Sequence, residues 1–107
     1  MLYRFKSQAT GDLVMLPADG KRLLDIWGKD PSAPGVLLCA DMPAAAEALH
    51  ASVEAEEAEL AAAQQAALAA GEPPPKAPAV AWRARVQPML KTLQYCQAED
   101  SPLRWEV

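Results

Sequence analysis

Residues 41–70 read DMPAAAEALHASVEAEEAELAAAQQAALAA, and this stretch decides the architecture. It is built mainly of Ala, Glu, Gln and Leu, all strong helix formers, with Ser52 and Val53 as weaker members. Asp41 stands where a side-chain carboxylate can accept bonds from the free amides of a first helical turn. Pro43 falls in that turn, where a missing N–H costs nothing, and Glu47 places negative charge near the positive end of the helix dipole. Gly71 is a natural stop, and Pro73, Pro74 and Pro75 cannot continue a helix. The pattern predicts one helix over residues 42–70.

The helix has a seam. Met42, Ala46, Leu49, Val53, Glu56, Leu60, Ala63 and Ala67 step by four and three, and only Glu56 interrupts the apolar stripe. Much of the seam is Ala, so a partner helix must supply the bulk. Residues 80–98, VAWRARVQPMLKTLQYCQA, do so: Trp82, Val86, Met89, Leu93 and Cys96 repeat the same spacing. An antiparallel helical hairpin of 42–70 with 80–98 follows, joined by the stiff proline-rich connector 71–79. Pro88 deprives the carbonyl of Ala84 of its partner, so a kink is expected there. A helix of this length spans on the order of 43 Å. A compact domain of this size has a radius of gyration of only about 13 Å. The helix is therefore expected to overhang the core at its C-terminal end, over residues 61–70, either frayed or covered by a second copy or another protein.

Charge follows the same division. Eight acids and no Lys or Arg lie between Asp30 and Pro75, against ten bases and six acids elsewhere, for a net charge of −4. The acidic helix should sit beside a basic element of its own chain, with Arg83, Arg85 and Lys91 as the nearest candidates. An acidic chain without a basic stripe is a poor partner for nucleic acid or an anionic membrane.

At 107 residues the chain reads as a single domain, 1–107. Its opening MLYRFKSQATGDL lacks the apolar core of a secretory leader, and no run approaches a membrane span. Cys39 and Cys96 have no CxxC spacing, so reduced thiols and a cytoplasmic location are the expectation.

The remaining segments supply a sheet. Leu2 to Ser7 alternates, with Tyr3 and Phe5 on one face and Arg4 and Lys6 on the other, which argues for a strand. Residues 12–16, DLVML, are apolar on both faces and fit either a short helix capped by Asp12 or a hairpin strand; the helical turn is favoured. Pro17 opens a helix over 17–27 that buries Leu23, Leu24 and Trp27, leaves Lys21, Arg22 and Asp25 outside, and ends at Gly28. Residues 35–39, GVLLC, read as a buried strand, and Leu103 to Val107 as a closing strand whose Glu106 can face Arg4 or Lys6. The fold class is α+β. A small three-stranded sheet (2–7, 35–39, 103–107) is covered by the helix 17–27 and the long hairpin.

Chemistry is sparse. His50 is the only histidine and has no HxxxH partner, so it reads as a helix-surface residue and no metal or cofactor is indicated. Glu54, Glu56, Glu57 and Glu59 point to several sides of a helix, and Cys39 and Cys96 read as small buried apolar residues. Gly28-Lys29 is followed by Asp30 rather than Ser or Thr and is not a phosphate loop. Trp27, Trp82 and Trp105, from three separate elements, are expected to meet in one core.

LYRFKSQATGDLVML, LLDIWGKDPSAPGV, DMPAAAEAL and the terminal LRWEV together resemble a family of short bacterial proteins, a domain of unknown function numbered 1840. The resemblance covers nearly the whole chain and is loosest over 61–79. It implies a bacterial cytosolic protein and brings no activity, substrate or site residue. Two functional classes are expected. The first is a non-enzymatic module that binds itself as a homodimer, or another protein, through Glu56, Glu57, Glu59, Leu60 and Leu68 of the long helix. The alternative is a small-molecule-binding regulatory domain with a pocket between sheet and helices at Trp27 and Lys29. With no nucleophile–base pair, an enzyme is not expected.

Overall fold

The computed structural model describes residues 2–107. Four strands, β1 (Tyr3–Lys6), β2 (Leu13–Met15), β3 (Gly35–Leu37) and β4 (Leu103–Glu106), form one antiparallel sheet in the order β2-β1-β4-β3. Three helices, α1 (Pro17–Ile26), α2 (Met42–Ala69) and α3 (Trp82–Ala98), lie on one face of it. The class is α+β, with one more strand than the sequence suggests.

The extra strand is β2. The helical turn favoured for residues 12–16 does not form. Tyr3 pairs with Met15 and Phe5 with Leu13, so the segment returns beside β1 as a hairpin. Burial then alternates, with Met15 in and Val14 out, which a run of four apolar residues hides. Asp12 caps nothing; its carboxylate lies 3.8 Å from the Arg4 guanidinium.

The core follows from the pleat. Tyr3, Phe5, Met15, Leu37, Leu103 and Trp105 point towards the helices. Two glycines set how closely the layers approach. Gly20 of α1 lies against the Tyr3 ring, whose hydroxyl donates to the carbonyl of Pro31 at 2.7 Å. Gly35 of β3 lies under the Trp105 indole, where an added Cβ would come within 2.5 Å of Cζ2. Trp105 also touches Phe5 and Trp27, with ring centroids 5.9 and 6.2 Å away. The three tryptophans share one core as expected, with Trp82 and Trp105 in it and Trp27 packed against it. Trp82 shares the core, but its ring carries the Arg22 guanidinium at 4.1 Å. Arg22, expected outside with Lys21, is drawn in by this contact.

The helices end alike. After α1, α2 and α3 the chain turns left-handed at Gly28 (φ 70°), Gly71 (φ 72°) and Asp100 (φ 52°). In each case the next amide donates back to the third residue before the C-cap: Lys29 to Leu24, Glu72 to Ala67 and Ser101 to Cys96. Asp41 does not cap α2. It closes a short 3₁₀ turn, Cys39–Asp41, and its backbone is already helical, so the carboxylate is not placed to accept. Pro88 sits on the exposed side of α3, and the helix is continuous from Trp82 to Ala98.

α2 pairs with α3 through Met42, Ala45, Leu49 and Val53 against Trp82, Val86, Met89, Leu93 and Cys96. The Trp82 indole N–H donates to Ser52 Oγ at 2.9 Å, which fixes the level of the two helices. Beyond Val53 no residue of α2 is buried. The long dimension of the molecule is 53 Å and its radius of gyration 16.1 Å, above the roughly 13 Å of a compact domain, because α2 overhangs. The connector covers part of that overhang. From Ala70 back to the level of Ser52 is about 27 Å of helix axis. A polyproline-like segment of this length reaches about 35 Å. The connector therefore runs back along α2, where Gln64 Nε2 donates to the carbonyl of Pro75 at 3.3 Å and Leu60, Gln64 and Ala67 are half-covered.

Candidate interaction surface and cleft

The sheet is covered on one face only. On its other face the two central strands carry Arg4, Lys6, Arg104 and Glu106. The outer strands and their flanks carry Val14, Leu16, Val36 and Leu38, and Leu2 stands just before the central strand β1; all five are between 42% and 61% exposed. An open antiparallel face ordinarily alternates apolar-in and polar-out. Here the charges occupy the centre and the apolar side chains the edges. Lys6 stands directly across from Arg104, an unfavourable like-charge pair, and is offset by Glu106 at 3.2 Å. Beside this face a hollow of about 580 Å³ is bounded by Lys6, Gln8, Asp100, Ser101, Arg104 and Glu106.

β3 is an edge strand and not the buried strand that GVLLC suggests. It pairs with β4 alone, and only Leu37 of Gly35–Leu37 is buried. Its run of small and apolar residues had no alternation to show which positions face solvent. The signal for the open face lay in β1, where Arg4 and Lys6 mark the outer side. Extending it to Val14 and Val36 needed the strand order.

The residues proposed from the long helix fall into two groups. Glu56 and Glu57 are held within the chain. Glu56 accepts from Arg22 Nη1 at 3.0 Å, and Glu57 takes a two-pronged contact from Arg83, 2.9 Å from Nε and 2.7 Å from Nη2. The Arg83 hydrogen bonds hold the Glu57 carboxyl below the usual carboxylate range and raise the Arg83 guanidinium in turn. Arg85 reaches α1 and pairs with Asp19 at 2.9 Å, so of the three bases expected beside α2 only Arg83 forms an ion pair with it among the described residues. Glu59 and Leu68 are exposed on the overhang, and Leu60 is half-covered.

Trp27 and Lys29 do come together. With Ile26, Leu37, Asp41 and Ala44 they line a cleft of about 370 Å³ between the end of α1 and the start of α2. The Trp27 indole N–H is spent on the carbonyl of Ala45 at 3.1 Å, so the ring offers this cleft a wall and no donor. Cys39 and Cys96 are free thiols. Burial, first, and the neighbouring Asp100 carboxylate push the Cys39 thiol up, which makes it a poor nucleophile. Among the described residues no three His, Cys, Asp or Glu side chains gather as a metal site, and no helix is long and apolar enough to cross a membrane.

No curated protein and no solved structure matches the chain. One family does, over residues 1–105, a span that takes in all three helices and the sheet as far as Trp105 of β4. The chain belongs to the family described as Domain of unknown function (DUF1840).

Proposed function

We propose that this chain is a non-enzymatic protein-interaction module. The observation that carries the reading is the uncovered sheet face, with Leu2, Val14, Leu16, Val36 and Leu38 exposed around a charged centre. Exposed apolar patches beside polar side chains mark contact surfaces, and this face offers two, Val14 with Leu16 at one edge and Val36 with Leu38 at the other. The overhang of α2, with Glu59 and Leu68, is the second exposed surface of the module. The test is a photo-crosslinking residue placed at Val36 or at Leu68 in the living host. Discrete adducts of protein mass from Val36, absent from a control at Ala79 on the connector, are the expected result. Val36 adducts no stronger than those from Ala79 would contradict the reading.

The cleft beside Trp27 and Lys29 favours a second reading, a small-molecule-binding domain. Its volume lies at the low end of ligand sites, and its lining combines apolar walls with one cation and one carboxylate. A metabolite screen by thermal shift tests it: a stabiliser whose effect is lost in Lys29→Ala supports it, and a screen without one counts against it.

A further inference from the structure

We infer that the cleft beside Trp27 binds a free apolar amino acid, which rests on the small-molecule reading and names its ligand class. Lys29 and Asp41 both line the cleft and carry opposite charges. Among the described residues neither takes part in an ion pair, with each other or with anything else. The acids nearest to Lys29 in sequence are already engaged. Asp25 holds Lys21 at 2.8 Å, and Asp30 accepts from the amide and the hydroxyl of Ser32 at 2.8 and 2.6 Å. The Asp41 carboxylate is equally free, since it caps no amide of α2. No Lys or Arg lies between Asp30 and Pro75 to neutralise it from nearby in the chain. One cation and one carboxylate therefore stand unanswered at the same cleft.

A free amino acid complements both charges in one small molecule. Its carboxylate answers Lys29 and its ammonium answers Asp41. An apolar side chain suits the rest of the lining, where Ile26, Leu37 and the Trp27 ring form the wall and the indole N–H is already given to Ala45. Ala44 and Ala48 of α2 present only methyl groups and leave the space open. Other ligand classes fit less well. A carboxylic acid without an amine is repelled by Asp41, and an amine without a carboxylate is repelled by Lys29. A nucleotide brings several negative charges to a cleft that lines only one cation, opposite a carboxylate. The volume, about 370 Å³, is at the low end of ligand sites and suits a molecule of amino-acid size. Lys29 is half-buried, so its contact with a bound carboxylate is screened less than a fully exposed pair.

Thermal shift and proton–nitrogen NMR of the full chain test this, with L-leucine and L-phenylalanine as probes. At least one of them should raise the melting temperature saturably. It should also move the indole cross-peak of Trp27 and leave that of Trp82, which donates to Ser52, in place. N-acetyl-leucine and leucinamide each lack one charge and should bind about threefold more weakly, or worse. Lys29→Ala and Asp41→Asn should each weaken the amino acid to the same degree. Ala44→Leu, an exposed position whose larger side chain fills the cleft and alters neither charge, should abolish binding with an unchanged circular dichroism spectrum. No shift from either amino acid, N-acetyl-leucine binding as tightly as leucine, or binding that survives Ala44→Leu would overturn the inference. If a metabolite of another class stabilises the chain and Lys29→Ala abolishes its effect, the amino acid is refuted while the small-molecule reading stands. If no metabolite stabilises it, both fall.

Discussion

Gly35→Ala measures how tightly β3 is laid over the core. The added Cβ would lie 2.5 Å from Cζ2, 2.7 Å from Cε2 and 3.0 Å from Nε1 of Trp105. Non-bonded carbons prefer about 3.5–4.0 Å, so the indole or the strand must move by about 1 Å. The indole has little room, being 2% exposed and held between Phe5 and Trp27. Overpacking of this kind costs about 1–3 kcal/mol. Replacing glycine in a strand returns about 0.5–1 kcal/mol of chain entropy. The net loss should be about 0.5–2 kcal/mol. Urea unfolding followed by far-ultraviolet circular dichroism reads it directly, without relying on tryptophan emission. Trp105→Phe removes the colliding edge of the ring and a buried indole N–H that has no hydrogen-bond partner among the described residues. In that background Gly35→Ala should be neutral or slightly stabilising. Costs of the two changes that add within about 0.3 kcal/mol, the ordinary tolerance for independent sites, would refute the packing account.

Further outcomes follow from the same geometry. Asp100→Gly relieves a left-handed residue at the end of α3 and should raise stability by up to about 1 kcal/mol, visible as a higher melting temperature. Glu57 has a depressed folded-state pKa, so its contribution is present at neutral pH and is lost as pH falls through the folded value. Carboxyl NMR titration should place its midpoint below the ordinary glutamate value, and Arg83→Ala should move it up; an unmoved midpoint would break the link. Alkylation of Cys39 should be slower than that of a free cysteine at the same pH, since burial raises its pKa. Amide hydrogen exchange should be slowest around Leu49 and Val53 and faster from Leu60 to Leu68, where α2 leaves the core.

The helical layer was legible because its signals are local. The 3.6-residue spacing, Gly28 and Gly71 as stops, and the match of an alanine-rich seam to a bulky one all lie in short windows of sequence. Even the overhang followed from length alone. The sheet was less legible because its pairing is not local. Four apolar residues at 13–16 give no period, and only the neighbouring β1 turns them into a strand. GVLL looked buried for the same reason, and its place at the edge depends on β4 lying between it and β1. Asp41 failed as a cap because the chain enters α2 through a 3₁₀ turn, which moves the first free amides upstream. Among the candidate residues, Trp27 and Lys29 line one cleft because both follow directly on the end of α1. The Arg83 contact with Glu57 was foreshadowed by the basic stretch expected beside α2, whereas the Arg22 contact with Glu56, 34 residues away, had no local signal. The open sheet face was missed because no single strand displays it.

Native mass spectrometry of the protein isolated from its own host, with and without Leu38→Lys, tests the central claim most directly. The interaction reading predicts an assembly, a symmetric dimer or a stoichiometric second protein, that dissociates on Leu38→Lys. A bare monomer in both preparations, or an assembly that Leu38→Lys leaves intact, would contradict it.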